Sequence, residues 1–261
     1  MIKSLKIMSI LVAMILFMCS PDYARTVKII AEDDWYPYCA RFAEGPKGIA
    51  VDIVRTSYKA EGIDVIFDVL NYDIGMEMVK DGDAIGCFDA PRTAEIEDVF
   101  LWHDERLFPV NGYFYANSDY QGQINSVKDA EGKRVGLTQG YGYGNLVEQD
   151  KKIIKEYSKA DAILIHKLLS RRLDLIILFD KVADYLIPKL NVQGRIKQLG
   201  PSDSIDLYIA FSKKHPDGKK YRDIFSSGFG KIKRNGIYQK ILNDWDAKLK
   251  RLSAKEKQIK Q

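Results

Sequence analysis

The sequence has few cysteines and histidines, and its charge is nearly balanced. Its three histidines, His103, His166 and His215, are scattered and do not have the spacing of a metal site. Forty basic residues oppose 36 acidic ones, which gives a formal net charge of +4. No basic stretch alternates with aromatic residues as a nucleic-acid groove requires. The sequence therefore predicts no metal, no cofactor and no nucleic-acid partner.

Only one long hydrophobic run is present, and it lies at the N-terminus. Lys3 and Lys6 precede an apolar stretch over residues 7–18, which is too short to span a bilayer core and has the length of a signal-peptide core. We therefore predict a signal peptide over residues 1–24 and export to the periplasm. Met18 occupies a position where a lipobox needs a small residue, which disfavours a lipid anchor on Cys19.

Removal of the signal peptide leaves two cysteines, Cys39 and Cys87, and lowers the formal charge to +3, because two lysines and one aspartate leave with it. An even number of cysteines in an oxidising compartment suggests a disulfide, and their spacing fits no zinc pattern. We therefore treat Cys39 and Cys87 as a possible disulfide.

Beyond the signal peptide, short strand-like runs alternate with helical ones. TVKIIA predicts a strand, GIAVDIVRTSYKAEG a helix, and DVIFDVLN, YDIGMEMVKDG and DAIGCF continue the alternation. The pattern restarts with VNGYFYANS, and NLVEQDKKIIKEY is predicted as a helix of this second unit. The strand DLYIAFS and the last helices must pack back onto an existing sheet. This order indicates an α/β protein with two mostly parallel sheets and a cleft between them.

The most unusual residues follow the predicted strands directly. EDDWYPYC follows the first strand, FDAPRT the third, TQGYGYG follows KRVGLT, and FDK follows LDLIIL. The carboxyl ends of parallel strands are where such sheets bind ligands. Four strand ends from two lobes would therefore form one site.

Five segments in a fixed order resemble the periplasmic solute-binding proteins of family 3, the polar amino-acid type. They are DWYPY with GPKGIAVDI, then KDGDAIGCFDAPRTAEIEDVF, EGKRVGLTQGYGYG, LSRRLDLIIL and KRNGIYQKILNDW. The resemblance that they mark extends over nearly the whole mature chain. The resemblance implies a type II fold of two α/β lobes joined by two crossover strands that act as a hinge. It places lobe 1 at residues 25–109 plus 207–250, lobe 2 at 110–206, and a basic tail at 251–261.

The resemblance also implies the ligand contacts. Trp35 takes the position of an aromatic that stacks on the ligand, and Asp180 that of the acid that pairs with a ligand ammonium. The alternatives are a hinge-side core aromatic for Trp35 and a structural cap for Asp180. The full set of implied ligand-binding residues is Glu32, Trp35, Asp89, Arg92, Thr93, Gly140, Tyr141, Tyr143 and Asp180.

Two positions depart from the family pattern. Ile96 stands where the family has a carboxylate-binding arginine, so Arg92 is the substitute, with a salt bridge to Glu95 or Asp89 as its alternative role. Tyr141 stands where the family commonly has a small hydroxyl residue, although backbone N–H groups from Gly140 onward remain able to cradle an anion. The two tyrosines of TQGYGYG would narrow the pocket or pack between the lobes. These departures point to a ligand other than a plain amino acid.

The resemblance thus implies a monomeric periplasmic protein that binds a small polar solute and delivers it to an inner-membrane ABC permease, without catalysis. Two alternatives remain. The first is a sensory or accessory protein that presents its ligand to a receptor. The second is a cyclohexadienyl-dehydratase-like enzyme, in which Glu32, Asp33, Asp34 and Asp89 would do acid–base chemistry.

Overall fold

A computed structural model describes residues 25–258 of the protein. The predicted signal peptide and Cys19 lie outside the described residues. No helix of the described part is both long and apolar enough to cross a membrane.

The strands are β1 (Arg25–Glu32), β2 (Asp34–Trp35), β3 (Cys39–Ala40), β4 (Ile63–Leu70), β5 (Gly86–Pro91), β6 (Phe100–Leu101), β7 (Phe108–Asn117), β8 (Arg134–Thr138), β9 (Ile154–Ser158), β10 (Leu175–Phe179) and β11 (Ile196–Ser212).

Helices flank these strands in the order that the sequence predicts for an α/β protein. A 3-10 turn at Val127–Ala130 precedes β8. The α-helices are α1 (Ile49–Lys59), α2 (Tyr72–Asp81), α3 (Asn145–Glu148), α4 (Asp161–Leu169), α5 (Asp180–Lys189), α6 (Gly218–Arg234) and α7 (Ile237–Gln258).

The strands form one curled sheet in the order β4-β1-β5-β11-β7-β10-β8-β9, with β6 beside β11. Strands β4, β1 and β5 are parallel to one another, and so are β10, β8 and β9. The long strands β7 and β11 pair antiparallel between these two groups, so they connect lobe 1 to lobe 2. The predicted α/β architecture with two crossing strands is confirmed.

The core of lobe 1 forms because α1 is amphipathic. Its predicted apolar face, Ile49, Ile53, Val54 and Tyr58, is buried as expected. The returning helix α6 packs closely on this helix, and a Cβ at Gly228 would lie 2.0 Å from the Ser57 carbonyl oxygen. The closing segment thus packs back onto the first lobe, as predicted.

One predicted helix is wrong. The sequence NLVEQDKKIIKEY is helical only over α3, and its second half is the strand β9, paired parallel with β8. Asp150 Oδ1 accepts hydrogen bonds from the backbone N–H groups of Lys152 and Ile153, an Asx-type turn that separates the two elements. Ile154 and Tyr157 are exposed, so β9 is an edge strand without the apolar pattern of a buried one.

Candidate functional site

The ends of four strands converge on one cavity, as the sequence predicts. Its volume is ≈ 20 Å³, and we call it the inner cavity. Glu32 and Trp35 come from the end of β1, Asp89 from β5, Tyr141 from the loop after β8, and Phe179 from the end of β10. The complete lining is Glu32, Trp35, Tyr72, Asp89, Pro91, Tyr141, Gly142, Phe179 and Leu207.

The segment AEDDWYPYC forms a tight hairpin that holds Trp35 over the inner cavity. Its strands β2 and β3 pair antiparallel, and the Tyr38 N–H donates to the Trp35 carbonyl at 2.9 Å. The carbonyl groups of Pro37 and Tyr38 accept from Ile49 and Ala50 at the start of α1. The first N–H groups of a helix have no hydrogen-bond partner within the helix. The hairpin carbonyl groups supply those partners, and the same hydrogen bonds hold the hairpin in place.

Trp35 is 4% exposed and lies among other aromatic rings. Its ring centroid is 4.5 Å from that of Tyr38, 5.5 Å from that of Tyr141 and 5.4 Å from that of Phe179. The Trp35 indole nitrogen has no hydrogen-bond partner among the described residues. Trp35 therefore belongs both to the aromatic core and to the cavity wall, which combines the two roles considered for it.

Glu32 ends β1 with its carboxyl group buried against the inner cavity. The Tyr141 hydroxyl donates a hydrogen bond to Glu32 Oε1. Burial raises the Glu32 pKa well above its usual range, the Tyr141 hydrogen bond opposes this, and the nearby charge of Asp89 adds to it. Burial thus favours the neutral form of Glu32 in the free protein, and a nearby cation would favour its ionised form.

Asp89 points into the inner cavity because β5 carries a bulge at this residue. Phe88 pairs with Ile209 and Ala90 with Tyr208, so Asp89 is the extra residue, and its φ of 65° lies in the left-handed region. The side chain is 4% exposed, and neither carboxyl oxygen has a partner within the described chain. Burial raises the pKa of Asp89 well above its usual range. A strained, unpaired buried carboxyl is costly unless a partner offsets its desolvation.

The loop after β8 carries Tyr141 across to lobe 1. Gly140 has a φ of 82°, and a Cβ there would lie 1.7 Å from Asp73 Oδ1, so only glycine permits this approach. Tyr141 packs edge-on against Tyr72, with ring centroids 6.3 Å apart. The prediction that Tyr141 narrows the pocket agrees with this geometry.

An open groove lies outside the inner cavity and shares four wall residues with it, Tyr72, Pro91, Tyr141 and Gly142. We call it the outer groove, and its volume is ≈ 820 Å³. The predicted residues Thr93 and Gly140 lie here and not in the inner cavity. Its charged lining residues are Asp73, Glu77, Lys80, Glu95 and Glu148.

Arg92 does not take the place of the missing family arginine. Its guanidinium forms a two-point ion pair with Glu97, with Nε to Oε2 at 2.6 Å and Nη2 to Oε1 at 2.5 Å, and it lies over the Tyr208 ring. It lines neither the inner cavity nor the outer groove. The partner is also neither Glu95 nor Asp89, the two that the sequence suggested. Arg92 is a surface ion-pair residue in this structure.

Asp180 and Tyr143 also lie away from the cavity lining. Asp180 begins α5 and accepts hydrogen bonds from the Tyr38 hydroxyl at 3.0 Å, from Asn111 Nδ2 at 3.2 Å and from the Lys181 N–H at 2.7 Å. It therefore joins the lobes from the first turn of α5. The Tyr143 ring stacks on Phe179 at 5.7 Å, and its hydroxyl accepts from the Thr138 N–H. These two Tyr143 contacts lie within lobe 2.

Cys39 and Cys87 are buried free thiols, so the possible disulfide is not formed in this structure. The Cys39 thiol donates to the Glu32 carbonyl at 2.9 Å, and the Cys87 thiol lies 3.7 Å from the Phe88 carbonyl. Burial raises the pKa of both thiols well above the usual range. They behave as small apolar core residues.

A second pocket, of ≈ 220 Å³, lies on the other side of Trp35. Asp161 from lobe 2 lines it and is buried, with Thr138 Oγ1 donating to Asp161 Oδ1 at 2.5 Å. Burial raises the pKa of Asp161 to about 6. Because its carboxyl already has a partner, Asp161 differs from Asp89.

Sequence reasoning missed several lining residues. β4 ends at Leu70, and Tyr72 comes two residues later. Because such sheets bind ligands at the carboxyl ends of their strands, the position of Tyr72 could have been predicted from the end of β4. Leu207 lies on the crossing strand β11 and carries no local signal. Within the described residues, no group of three or more His, Cys, Asp or Glu side chains is arranged to hold a metal ion.

Many solved structures share this fold. An ancestral arginine-binding protein bound to arginine superposes with a TM-score of 0.73 at 20% identity, over 85% of this chain and 99% of that one. The amino acid ABC transporter substrate-binding protein AbpA from Streptococcus pneumoniae, bound to L-arginine, gives 0.70 at 16% identity, over 84% and 93%. A histidine kinase sensor domain with similarity to periplasmic binding proteins gives 0.75 at 18% identity, over 86% and 97%.

These likenesses establish the two-lobed periplasmic-binding-protein fold that the sequence predicts. No protein-family model matches the chain, and no curated protein matches its sequence.

Proposed function

We propose that the protein binds a small organic solute in the inner cavity between its lobes and delivers it to an ABC-type importer. The observation that carries this proposal is the convergence of four strand ends on a cavity with an aromatic wall and an unpartnered buried carboxyl, Asp89. Such a group has a desolvation cost that a bound ligand can offset. The solved relatives named as ABC transporter substrate-binding proteins support the delivery step.

The proposed contacts in the inner cavity are Glu32, Trp35, Asp89 and Tyr141, with Thr93 and Gly140 in the outer groove. Lobe 1 comprises residues 25–109 plus 207–250 in this proposal, and lobe 2 comprises residues 110–206. Solute would shift an equilibrium between open and closed arrangements of the lobes toward the closed one. Export to the periplasm by residues 1–24, a monomeric state and the absence of catalysis belong to the same proposal.

A thermal-shift screen of amino acids, diamines, aromatic acids and small dicarboxylates tests this function. A true ligand at one hundred times its dissociation constant adds about 2.7 kcal/mol to the free energy of unfolding. The second readout is the fluorescence of a variant in which Trp102 and Trp245 are replaced by Phe, so that Trp35 is the remaining tryptophan. A screen with neither stabilisation nor a Trp35 response would contradict the proposal.

A sensory role is the second candidate, and the histidine kinase sensor domain that superposes on this chain favours it. In that role the closed, liganded form would contact a receptor. Affinity capture with the liganded protein from a membrane extract distinguishes the two roles. Recovery of a permease supports import, and recovery of a receptor or sensor kinase supports sensing.

A further inference from the structure

We infer that the solute is a linear diamine or polyamine, an organic cation without a carboxylate. One ammonium group lies between Glu32 and Asp89 in the inner cavity, and the chain extends into the acidic outer groove. This inference rests on the proposed function, because it names the ligand class of the same cleft.

The acidic lining of the inner cavity disfavours an anionic group and favours a cation, which would stabilise the ionised form of either carboxyl. Its two ionisable carboxyl groups, Glu32 and Asp89, are each 4% exposed, and no lysine, arginine or histidine is among its lining residues in the described chain. A ligand carboxylate placed here would be desolvated beside two acids without a cation to pair with it. An ammonium group has the opposite charge and can donate to the Asp89 oxygens that have no partner.

The size and walls of the inner cavity fit an ammonium head. At ≈ 20 Å³ it has room for about one water-sized group, and a primary ammonium is of this size. Rings of Trp35, Tyr72, Tyr141 and Phe179 form much of its wall. Aromatic faces attract cations, and they attract them more strongly where water is excluded. The head group is therefore selected by charge, by size and by the aromatic wall.

The outer groove also favours a positively charged group, because its lining is mostly acidic. Asp73, Glu77, Glu95 and Glu148 line it against one basic residue, Lys80. It adjoins the inner cavity at the four wall residues that they share, so the groove is the neighbouring space for an alkyl chain attached to the ammonium group. A second ammonium at the far end of the chain meets an excess of carboxylates there, whereas an α-carboxylate is repelled by them.

A divalent metal ion is the simplest competing occupant of a two-carboxyl site. Metal ions of this kind take four or more ligands, and hard cations prefer six or more oxygens. No group of three or more suitable side chains is arranged for a metal among residues 25–258. The unpaired Asp89 carboxyl and the nearby Glu32 are thus better matched to a single-point organic cation.

Matched ligand pairs test the inference. Cadaverine and L-lysine differ only by a carboxylate, and so do putrescine and L-ornithine. Isothermal titration calorimetry of the full mature chain should give an affinity for the better diamine at least tenfold above that for its amino acid. Asp89→Asn should lower the diamine affinity at least tenfold, and Glu77→Gln about threefold. Glu131→Gln, which removes a surface carboxylate paired with Lys152, should change it less than twofold.

The possible outcomes separate this inference from the proposed function. Tighter binding of L-lysine or L-ornithine, or of an acid from the screen, would overturn the diamine inference and leave solute binding intact. Equal effects of Glu77→Gln and Glu131→Gln would overturn the part played by the outer groove. Failure of every solute in the screen would overturn the proposed function itself.

Discussion

The Tyr141 hydroxyl donates a hydrogen bond to Glu32 Oε1, and this bond joins lobe 2 to lobe 1 across 109 positions of the chain. In an open arrangement of the lobes these two residues would separate and lose the contact. A hydrogen bond to a carboxyl group contributes about 1–3 kcal/mol, which is enough to shift a balance between open and closed forms. We therefore expect Tyr141 to favour the closed form of the free protein by occupying an acid that a cationic solute would use.

Replacement of Tyr141 by Phe should open the free protein. Small-angle scattering should show a larger radius of gyration for Tyr141→Phe without solute, and the wild-type value after solute is added. Tyr143→Phe is the matched control, because the Tyr143 hydroxyl bonds to Thr138 within the same lobe. An equal radius of gyration for Tyr141→Phe and wild type would show that the Glu32 contact does not hold the lobes together.

Replacement of Asp89 by Asn should stabilise the free protein while it weakens solute binding. A carboxyl whose pKa is raised on folding contributes its stability at low pH and loses it as pH rises through the raised pKa. Asn has no charge to desolvate and tolerates a positive φ. Chemical denaturation should show a larger gain in the free energy of unfolding at pH 8 than at pH 4. The same gain at pH 4 and pH 8 would contradict this cause.

Asp161 gives a pH dependence with a defined window. Its pKa rises from 3.8 to about 6 on folding, so its contribution is complete below pH 3.8 and is lost as pH rises to about 6. The loss amounts to roughly 3 kcal/mol for a shift of about two units. Asp161→Asn keeps an acceptor for Thr138 and should remove this slope. If the free energy of unfolding depended on pH in the same way for the variant and the wild type between pH 3.5 and 7, Asp161 would not be the cause of the pH dependence.

Replacement of Arg92 by Ala should leave solute affinity within twofold of wild type. Arg92 pairs with Glu97 at the surface, where water screens the ion pair, and it does not line the inner cavity. Calorimetric titration and denaturation of the same sample give both quantities. An affinity loss above tenfold would restore Arg92 as a ligand contact.

The two cysteines should be protected free thiols. An alkylating reagent should leave Cys39 and Cys87 unmodified in the native protein and modify both in denaturant, as counted by intact mass. Ligand should slow any residual reaction, because Cys39 lies beside Glu32 at the cavity. A native protein without thiols under non-reducing conditions would show that the disulfide forms after all.

The sequence predicts the α/β order, the crossing strands and the convergence of strand ends, because these depend on local periodicity and on the direction of parallel strands. The strand β9 is missed because its exposed, charged residues pair with β8 along an edge. Glu32, Trp35 and Tyr141 follow from their places after strands.

The rest of the site depends on contacts distant in sequence. Asp89 reaches the cavity through a bulge opposite Tyr208 and Ile209, and nothing near Asp89 in the sequence encodes this register shift. Arg92 forms its ion pair with Glu97, and this choice of partner depends on how the loop folds, which the sequence pattern does not show. Arg92, Tyr143 and Asp180 also follow strand ends, but hydrogen bonds and ring contacts within the folded chain hold them away from the cavity lining.

The small volume of the inner cavity also governs how fast solute is captured. Residues of both lobes line the inner cavity, so we expect an ammonium head group to enter it only after the lobes separate. Stopped-flow traces should therefore reach a plateau at high solute concentration, where the observed rate equals the rate of opening. Uptake in solute-rich surroundings would then follow the internal motion of the protein, and diffusion would set the rate only when solute is scarce.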